Sequence, residues 1–280
     1  MLESLQITAQ YVWNLSEKLL TSLQQTIHNG VIEKVHKQFT KDIPMRIDGR
    51  KNDELRAVDI QRGPMEYAAG CVIISTGNTK VLCSASIDER VPGFLSGSGQ
   101  GWITAEYSML PGSTIPRTSR ENRRRGRSQE IQRLIGRSLR AGADLSKLGE
   151  RTVTIDCDVL QADGGTRTAS ITGGYVALHF AIQELVVKGV LPNTLMLKNV
   201  AATSIGTSGD QVLLDLCYEE DATAGADFNV VMAEGGEFIE IQGGAEQSTF
   251  DRATLEKVLD LGEIGIEKLF TLQNKMIRDI

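Results

Sequence analysis

The sequence contains no uninterrupted apolar run of about 18 residues, the length a membrane-crossing helix needs. Its longest uncharged core-like stretch, Thr168 to Gln183, is shorter and carries glycines, hydroxyls and a histidine, so no membrane span is expected. Nor does Met1-Leu2-Glu3 supply the basic head and apolar run of a secretory signal. Cysteine pairs are missing too. Cys71, Cys83, Cys157 and Cys217 sit far apart, each in an apolar, strand-like run, and His28, His36 and His179 do not cluster with them. That pattern argues against zinc and for buried, reduced thiols, which fits a cytoplasmic location. The G-x-x-x-x-G-K-[ST], G-x-G-x-x-G and G-x-S-x-G patterns are absent as well. No residue therefore carries the marks of an activated protein nucleophile, and His179, flanked by Leu178 and Phe180, reads as a core or interface histidine.

What is present is an ordinary globular composition. With 280 residues, 41% hydrophobic and 24% charged, the chain can bury a sizeable core as one large domain or two moderate ones. Its net charge of −6 conceals one segment of opposite character. From Arg117 to Arg140 there are nine arginines and no lysine, opposed only by Glu121 and Glu130. Guanidinium groups bind phosphate oxygens bidentately and stay charged at any physiological pH. The same run could be a solvated loop and an ion-paired helix face. An acidic remainder favours a local polyanion site over non-specific coating of nucleic acid.

Residues 1–44 read as an N-terminal helical extension: Val12, Leu15, Leu19, Leu23 and Ile27 recur at helical spacing. From residue 45 to 280 the pattern is α+β, two similar strand-helix halves in one compact domain, with no Pro/Ser-rich linker between them. Strands are predicted at 71–76 and 79–87, joined by a Gly77-Asn78 turn, then around Trp102 and at 151–160. Helices are predicted at 129–143, with Ser128 as N-cap, and at 168–188. The second half repeats the order, with strands at 195–206, 211–218, 228–233 and 237–242 and a helix at 251–274.

Three constellations could carry chemistry. Asp163-Gly164-Gly165-Thr166-Arg167-Thr168-Ala169-Ser170 stands between a strand and a helix. Tight glycine turns, helix-start N–H groups, hydroxyls and the Arg167 fork would together receive a phosphate. An ordinary glycine turn with hydroxyl caps accounts for the spacing equally well. Arg127 opens the preceding helix and could close with Arg167 on one anion. Finally, Asp221 in the Tyr218-Glu219-Glu220-Asp221 run and Asp227 would lie close if 211–218 and 228–233 were adjacent strands. Two such carboxylates suit a hard divalent cation, although a solvated acidic loop is the commoner reading. Asp156 and Asp158 read as structural.

Taken together, five stretches resemble the ribonuclease PH family: Met45–Arg50 (MRIDGR), Gly101–Tyr107 (GWITAEY), Gln129–Arg137 (QEIQRLIGR), Ile155–Thr168 (IDCDVLQADGGTRT) and Leu214–Asp221 (LDLCYEED). The resemblance spans roughly residues 45 to 275. It implies a ribosomal protein S5 domain 2-like fold assembled as a homohexameric ring, a trimer of dimers. It also implies phosphate-dependent 3′→5′ trimming of RNA, especially transfer RNA 3′ ends, with inorganic phosphate as co-substrate and release of nucleoside diphosphates. By the resemblance, Arg127, Gly165, Thr166 and Arg167 hold phosphate. Asp221 and Asp227 carry Mg²⁺ (or Mn²⁺) or act as general acid. Arg117, Arg120, Arg123, Arg124, Arg125, Arg133 and Arg137 grip the RNA. Ser96 and Gly112 stand where the family usually has arginine, and the stretch between Glu121 and Gly126 is shorter than typical. Rival readings are a non-catalytic RNA-binding ring subunit and a metal-dependent RNA hydrolase; joint retention of Arg127, Arg167, Asp221 and Asp227 opposes the first.

Overall fold

The computed structural model describes residues 46–120, 126–191, 198–245 and 248–278. The chain divides into two units, Met1–Gly49 and Arg50–Ile280. The helical extension expected over 1–44 lies outside the described residues, as do Arg123, Arg124 and Arg125.

Within the larger unit, the first sheet grows from alternation of period two. β1 (Val58–Arg62), β2 (Gly70–Thr76), β3 (Thr79–Asp88), β4 (Trp102–Met109) and β5 (Thr152–Gln161) pair in the order β1-β2-β3-β5-β4. β5 buries Val153, Ile155, Cys157 and Val159 and leaves Thr152, Thr154, Asp156 and Asp158 half-exposed on the other face. β2 and β3 form the hairpin that Gly77-Asn78 predicts, with Thr76 opposite Thr79 and Gly77 at φ +56°. β4 runs parallel to β5, and the crossover between them contains α1 (Gly126–Ala141) and the one-turn α2 (Leu145–Leu148). Ser128, predicted to cap α1, lies inside its first turn, because Gly126 and Arg127 are already helical.

The second sheet is antiparallel in the order β7-β6-β8-β9, from β6 (Val200–Ser208), β7 (Gln211–Leu214), β8 (Ala226–Ala233) and β9 (Glu237–Ala245). Two expectations are corrected here. β7 stops at Leu214 instead of reaching 218, since Asp215 takes φ +55°, a left-handed backbone that ends a strand. β7 and β8 are also not neighbours, because each pairs with β6. After β7 the chain makes the one-turn α4 (Tyr218–Asp221), with Cys217 at its N-cap and so outside any strand.

Helix α3 (Thr166–Val187) is apolar on nearly its whole circumference, and it packs against β2 and β3 on one side and β6 on another. By length and composition it could cross a membrane, yet most of it is buried inside this protein. Helix α5 (Arg252–Arg278) covers the other face of the second sheet, where Val258, Ile266 and Phe270 meet Ile205, Phe228 and Val230. Gln273, fully buried, pins α5 by donating to the carbonyls of Thr172 and Val200, both at 2.9 Å. The architecture is the expected α+β class. Four layers alternate as sheet, helix, sheet, helix, and the larger core cluster lies around α3.

Small residues let α3 approach the first sheet. A Cβ on Gly70 would fall 2.0 Å from the Ala177 carbonyl oxygen, and one on Gly173 would fall 2.7 Å from Ile74 Cγ2. Gly70→Ala is therefore expected to destabilise the protein by about 1–3 kcal/mol, read from the urea midpoint at unchanged slope. An unaltered midpoint would mean that α3 yields freely.

Candidate active site

The loop between β5 and α3 is held from three directions before any ligand arrives. Gly164 and Gly165 adopt φ of +72° and +65°, which side-chain-bearing residues rarely take. Thr79 Oγ1 accepts from the Asp163 N–H at 2.9 Å and donates to the Gly164 carbonyl at 2.6 Å. Asn78 Nδ2 donates to Asp163 Oδ2, and the Tyr218 N–H donates to Asp163 Oδ1, both at 3.2 Å. From the far side, Arg56 Nη1 donates to the Asp163 carbonyl.

Arg56 is itself clamped. Its Nε donates to Asp215 Oδ2 at 3.1 Å and its Nη2 to Asp215 Oδ1 at 2.7 Å, while its backbone N–H reaches the same carboxylate at 2.8 Å. The two side chains are only 5% and 4% exposed. Burial works against the Arg56 charge, but the hydrogen-bonded Asp215 carboxylate more than compensates and raises its pKa above the ordinary value. Arg50 adds a hydrogen bond to the Asp215 carbonyl at 3.1 Å and an ion pair to Glu220 at 3.7 Å, which ties α4 into the same network.

With the loop fixed, α3 begins at Thr166 with Gly165 as N-cap and no capping side chain. Its first N–H groups and its positive dipole end are thus available to an anion. Thr166 Oγ1 meets the buried Tyr107 hydroxyl at 2.8 Å. Burial raises the Tyr107 pKa, and the Thr166 hydrogen bond and the charges of Arg127 and Arg167 oppose that shift. The charges of both expected phosphate-binding arginines are thus felt at the buried Tyr107 hydroxyl. Arg167 is held in place by Glu130 of α1 and Gln242 of β9, each accepting from Nη1 at 3.2 Å. The expected hydroxyl cluster is only partly available. Thr168 Oγ1 donates to the Gly165 carbonyl and Ser170 Oγ to that of Thr166, because both side chains are buried and must satisfy themselves within the helix.

The carboxylates come from the second sheet. In the β8–β9 ladder, Val231 faces Glu240, Asn229 faces Gln242 and Asp227 faces Gly244. Opposite residues share a face, so Asp227 stands on the same face as Gln242, next along the row from the residue that holds Arg167. A Cβ on Gly244 would meet nothing within 4 Å, which leaves open space directly across from Asp227. Asp221 ends α4, exposed, and only residues 222–225 separate it from β8. Among the described residues no group of three or more His, Cys, Asp or Glu side chains forms a metal cage. Two carboxylates nevertheless fit Mg²⁺, which commonly takes one or two protein carboxylates and completes its shell with water and substrate phosphates.

The remaining arginines line the outside. Arg117 and Arg120 are exposed after β4. Arg133, Arg137 and Arg140 border a cleft of about 480 Å³ between α1 and β4, together with Trp102 and Gln132. Arg137 forks onto Glu240 at 3.0 and 2.6 Å, which raises its pKa, and Arg140 lies 4.1 Å over the Trp102 ring. Sequence reasoning missed Arg56, Asp215 and Gln242. The one signal for Asp215 is a carboxylate set between Leu214 and Leu216 in an apolar run, where a buried charge requires a partner.

An uncapped helix start with an arginine in its first turn, on a two-sheet α+β scaffold, is the equipment of a phosphoryl-transfer enzyme that acts on a polyanion. The sequence matches the model of the 3′ exoribonuclease family, domain 1, over residues 54–182 and domain 2 over residues 198–265. The chain belongs to this family. It is 53% identical over 240 residues to ribonuclease PH of Bacillus pumilus, covering 84% of this chain and 99% of that one. It is 55% identical over 231 residues to ribonuclease PH of Corynebacterium glutamicum, covering 81% and 94%. Among solved structures, the fold resembles an RNA-bound exosome of Archaeoglobus fulgidus (TM-score 0.70, 21% identity, 87% of this chain and 96% of that one). It also resembles rice Rrp46 (TM-score 0.68, 17% identity, 83% and 100%), in keeping with the ribosomal protein S5 domain 2-like fold.

Asp215→Ala would strand the buried Arg56 charge. The expected cost is about 3–5 kcal/mol in chemical denaturation, well above that of Glu240→Ala, whose partner Arg137 is 47% exposed. Equal costs for the two variants would contradict the clamp.

Proposed function

We propose that this chain is a phosphate-dependent 3′→5′ exoribonuclease that trims the 3′ ends of transfer RNA precursors, as part of a homohexameric ring in the cytoplasm. The observation that carries the reading is the uncapped start of α3 behind the double glycine, with Arg167 in its first turn steadied by Glu130 and Gln242. An anion-receiving site is what the reaction needs when inorganic phosphate is itself the nucleophile.

The mechanism follows from the residues. Orthophosphate is held by Arg127, Arg167 and the N–H groups that follow Gly165. One of its oxygens attacks the phosphorus of the last phosphodiester, and the bond from that phosphorus to the 3′-oxygen of the preceding nucleotide breaks. A nucleoside diphosphate leaves, and the shortened RNA takes up a proton on its new 3′-hydroxyl. Asp227 would supply that proton, or with Asp221 would hold Mg²⁺ or Mn²⁺. A bound ion would neutralise charge on the transferring phosphoryl oxygens. Catalysis is then chiefly positioning and electrostatics, with guanidinium groups matched to the phosphoryl oxygens. Arg117, Arg120, Arg123, Arg124, Arg125, Arg133 and Arg137 would guide the RNA backbone towards the loop.

A transfer RNA with a few extra 3′ nucleotides, incubated with Mg²⁺ with and without phosphate, tests the reading. Nucleoside diphosphates should appear only with phosphate, and chelation should stop the reaction until Mg²⁺ is restored. Arg127→Ala and Asp227→Ala should each lower turnover by at least about 100-fold without shifting the unfolding midpoint. Monophosphate release independent of phosphate would establish hydrolysis instead. RNA binding without any product would mark a non-catalytic subunit.

A further inference from the structure

Beside the double-glycine loop, α4 presents an aromatic ring to solvent. Tyr218 is 64% exposed, although its backbone is tightly held. Its N–H donates to Asp163 Oδ1 at 3.2 Å, and the preceding Cys217 N–H donates to Glu220 Oε2 at 3.1 Å. A Cβ on Gly164 would fall 2.9 Å from Tyr218 N, so the phosphate loop and the Cys217–Tyr218 peptide are in direct contact. Three residues on, Asp221 shares the face of the turn that carries Tyr218. None of the ring pairs and cation–π contacts among the described residues involves Tyr218. An exposed ring on a rigid backbone, between an anion-binding loop and a carboxylate, is suited to a ligand that carries a flat apolar face next to a phosphate.

We propose that Tyr218 is the stacking platform for the 3′-terminal nucleobase of the RNA, a subsite that rests on the phosphorolytic reading above. Every base offers a π-face, so stacking on tyrosine tolerates any terminal nucleotide. An enzyme that removes successive nucleotides needs that tolerance. A base stacked there places its own 5′-phosphodiester beside the loop at 163–165, which Tyr218 touches. Tyr218 thus binds the nucleotide to be released, whereas Arg127 and Arg167 bind the attacking phosphate. The two roles predict separable kinetic defects.

The test uses the full-length protein and two RNAs that differ only at the 3′ end, one with a normal terminal nucleotide and one with an abasic ribose there. Wild-type kcat/KM should be roughly 5- to 150-fold lower on the abasic RNA. Tyr218→Ala should show a loss of the same size on the normal RNA and no further loss on the abasic one. Its KM for phosphate should stay at the wild-type value, and Tyr218→Phe should behave as wild type. Equal wild-type rates on the two RNAs, a comparison that needs no variant, would overturn the proposal. So would a Tyr218→Ala loss of the same size on both RNAs, which marks a purely structural role, or a raised KM for phosphate. Dissociation of the Tyr218→Ala assembly in sedimentation would assign the ring to a subunit contact and also overturn it. Phosphate-independent release of monophosphates by the wild type would overturn the phosphorolytic reading itself, and this subsite with it.

Discussion

A buried arginine needs an anion, and Arg56 has one in Asp215. The consequences run through the whole site, because Arg56 precedes the first strand of one sheet and Asp215 follows the short strand β7 of the other. Taking both charges out of water is costly unless their remaining hydrogen-bonding capacity is used. The capacity left over on Arg56 goes to the Asp163 carbonyl, and the Asp215 carbonyl goes to Arg50. The left-handed backbone at Asp215 ends β7 and starts the path to α4. The double-glycine loop, the acidic turn and both sheets thus share one electrostatic knot, which sets their mutual distances before substrate binds.

Around that knot, neutral and charged groups are separated by depth. Tyr107 is buried and keeps its proton, since burial raises its pKa despite two nearby arginines. It can therefore orient Thr166 without competing as a phenolate for the guanidinium groups. Arg127 and Arg167 sit closer to solvent, where a phosphate can reach them, and Arg167 is steadied by one carboxylate and one amide. A single carboxylate partner that is itself half-exposed holds the guanidinium in position and leaves donors for an incoming anion. The result is a preorganised cationic site, the feature on which phosphoryl transfer chiefly depends.

Much of the fold was legible in the sequence because local periodicity survives in it. The strand-like run at 151–160 and the Gly77-Asn78 turn gave β5 and the β2–β3 hairpin. The three- and four-residue spacing of Ile131, Leu134, Ile135 and Leu139 gave most of α1. The second sheet was harder. Its pairing order is a property of β6, which lies between β7 and β8, and nothing within 211–233 records which strand takes the central place. For the same reason, the expected closeness of Asp221 and Asp227 was argued from the wrong neighbours: β7 and β8 each pair with β6, and Asp221 ends the one-turn α4, separated from β8 by residues 222–225.

The sequence alone determined the kinds of groups available: arginines at 127 and 167, a double glycine before a helix, carboxylates at 221 and 227. Those assignments need only residue chemistry and spacing along the chain. Which of these groups face one another was decided by tertiary structure. Gln242 and Glu240 reach Arg167 and Arg137 only because β9 lies against the helices, and Thr168 and Ser170 leave the expected hydroxyl cluster only because α3 buries them. Arg56 meets Asp215 across more than half the chain. Local sequence encodes periodicity and turn chemistry, but a buried charge finds its partner only when packing removes water from both.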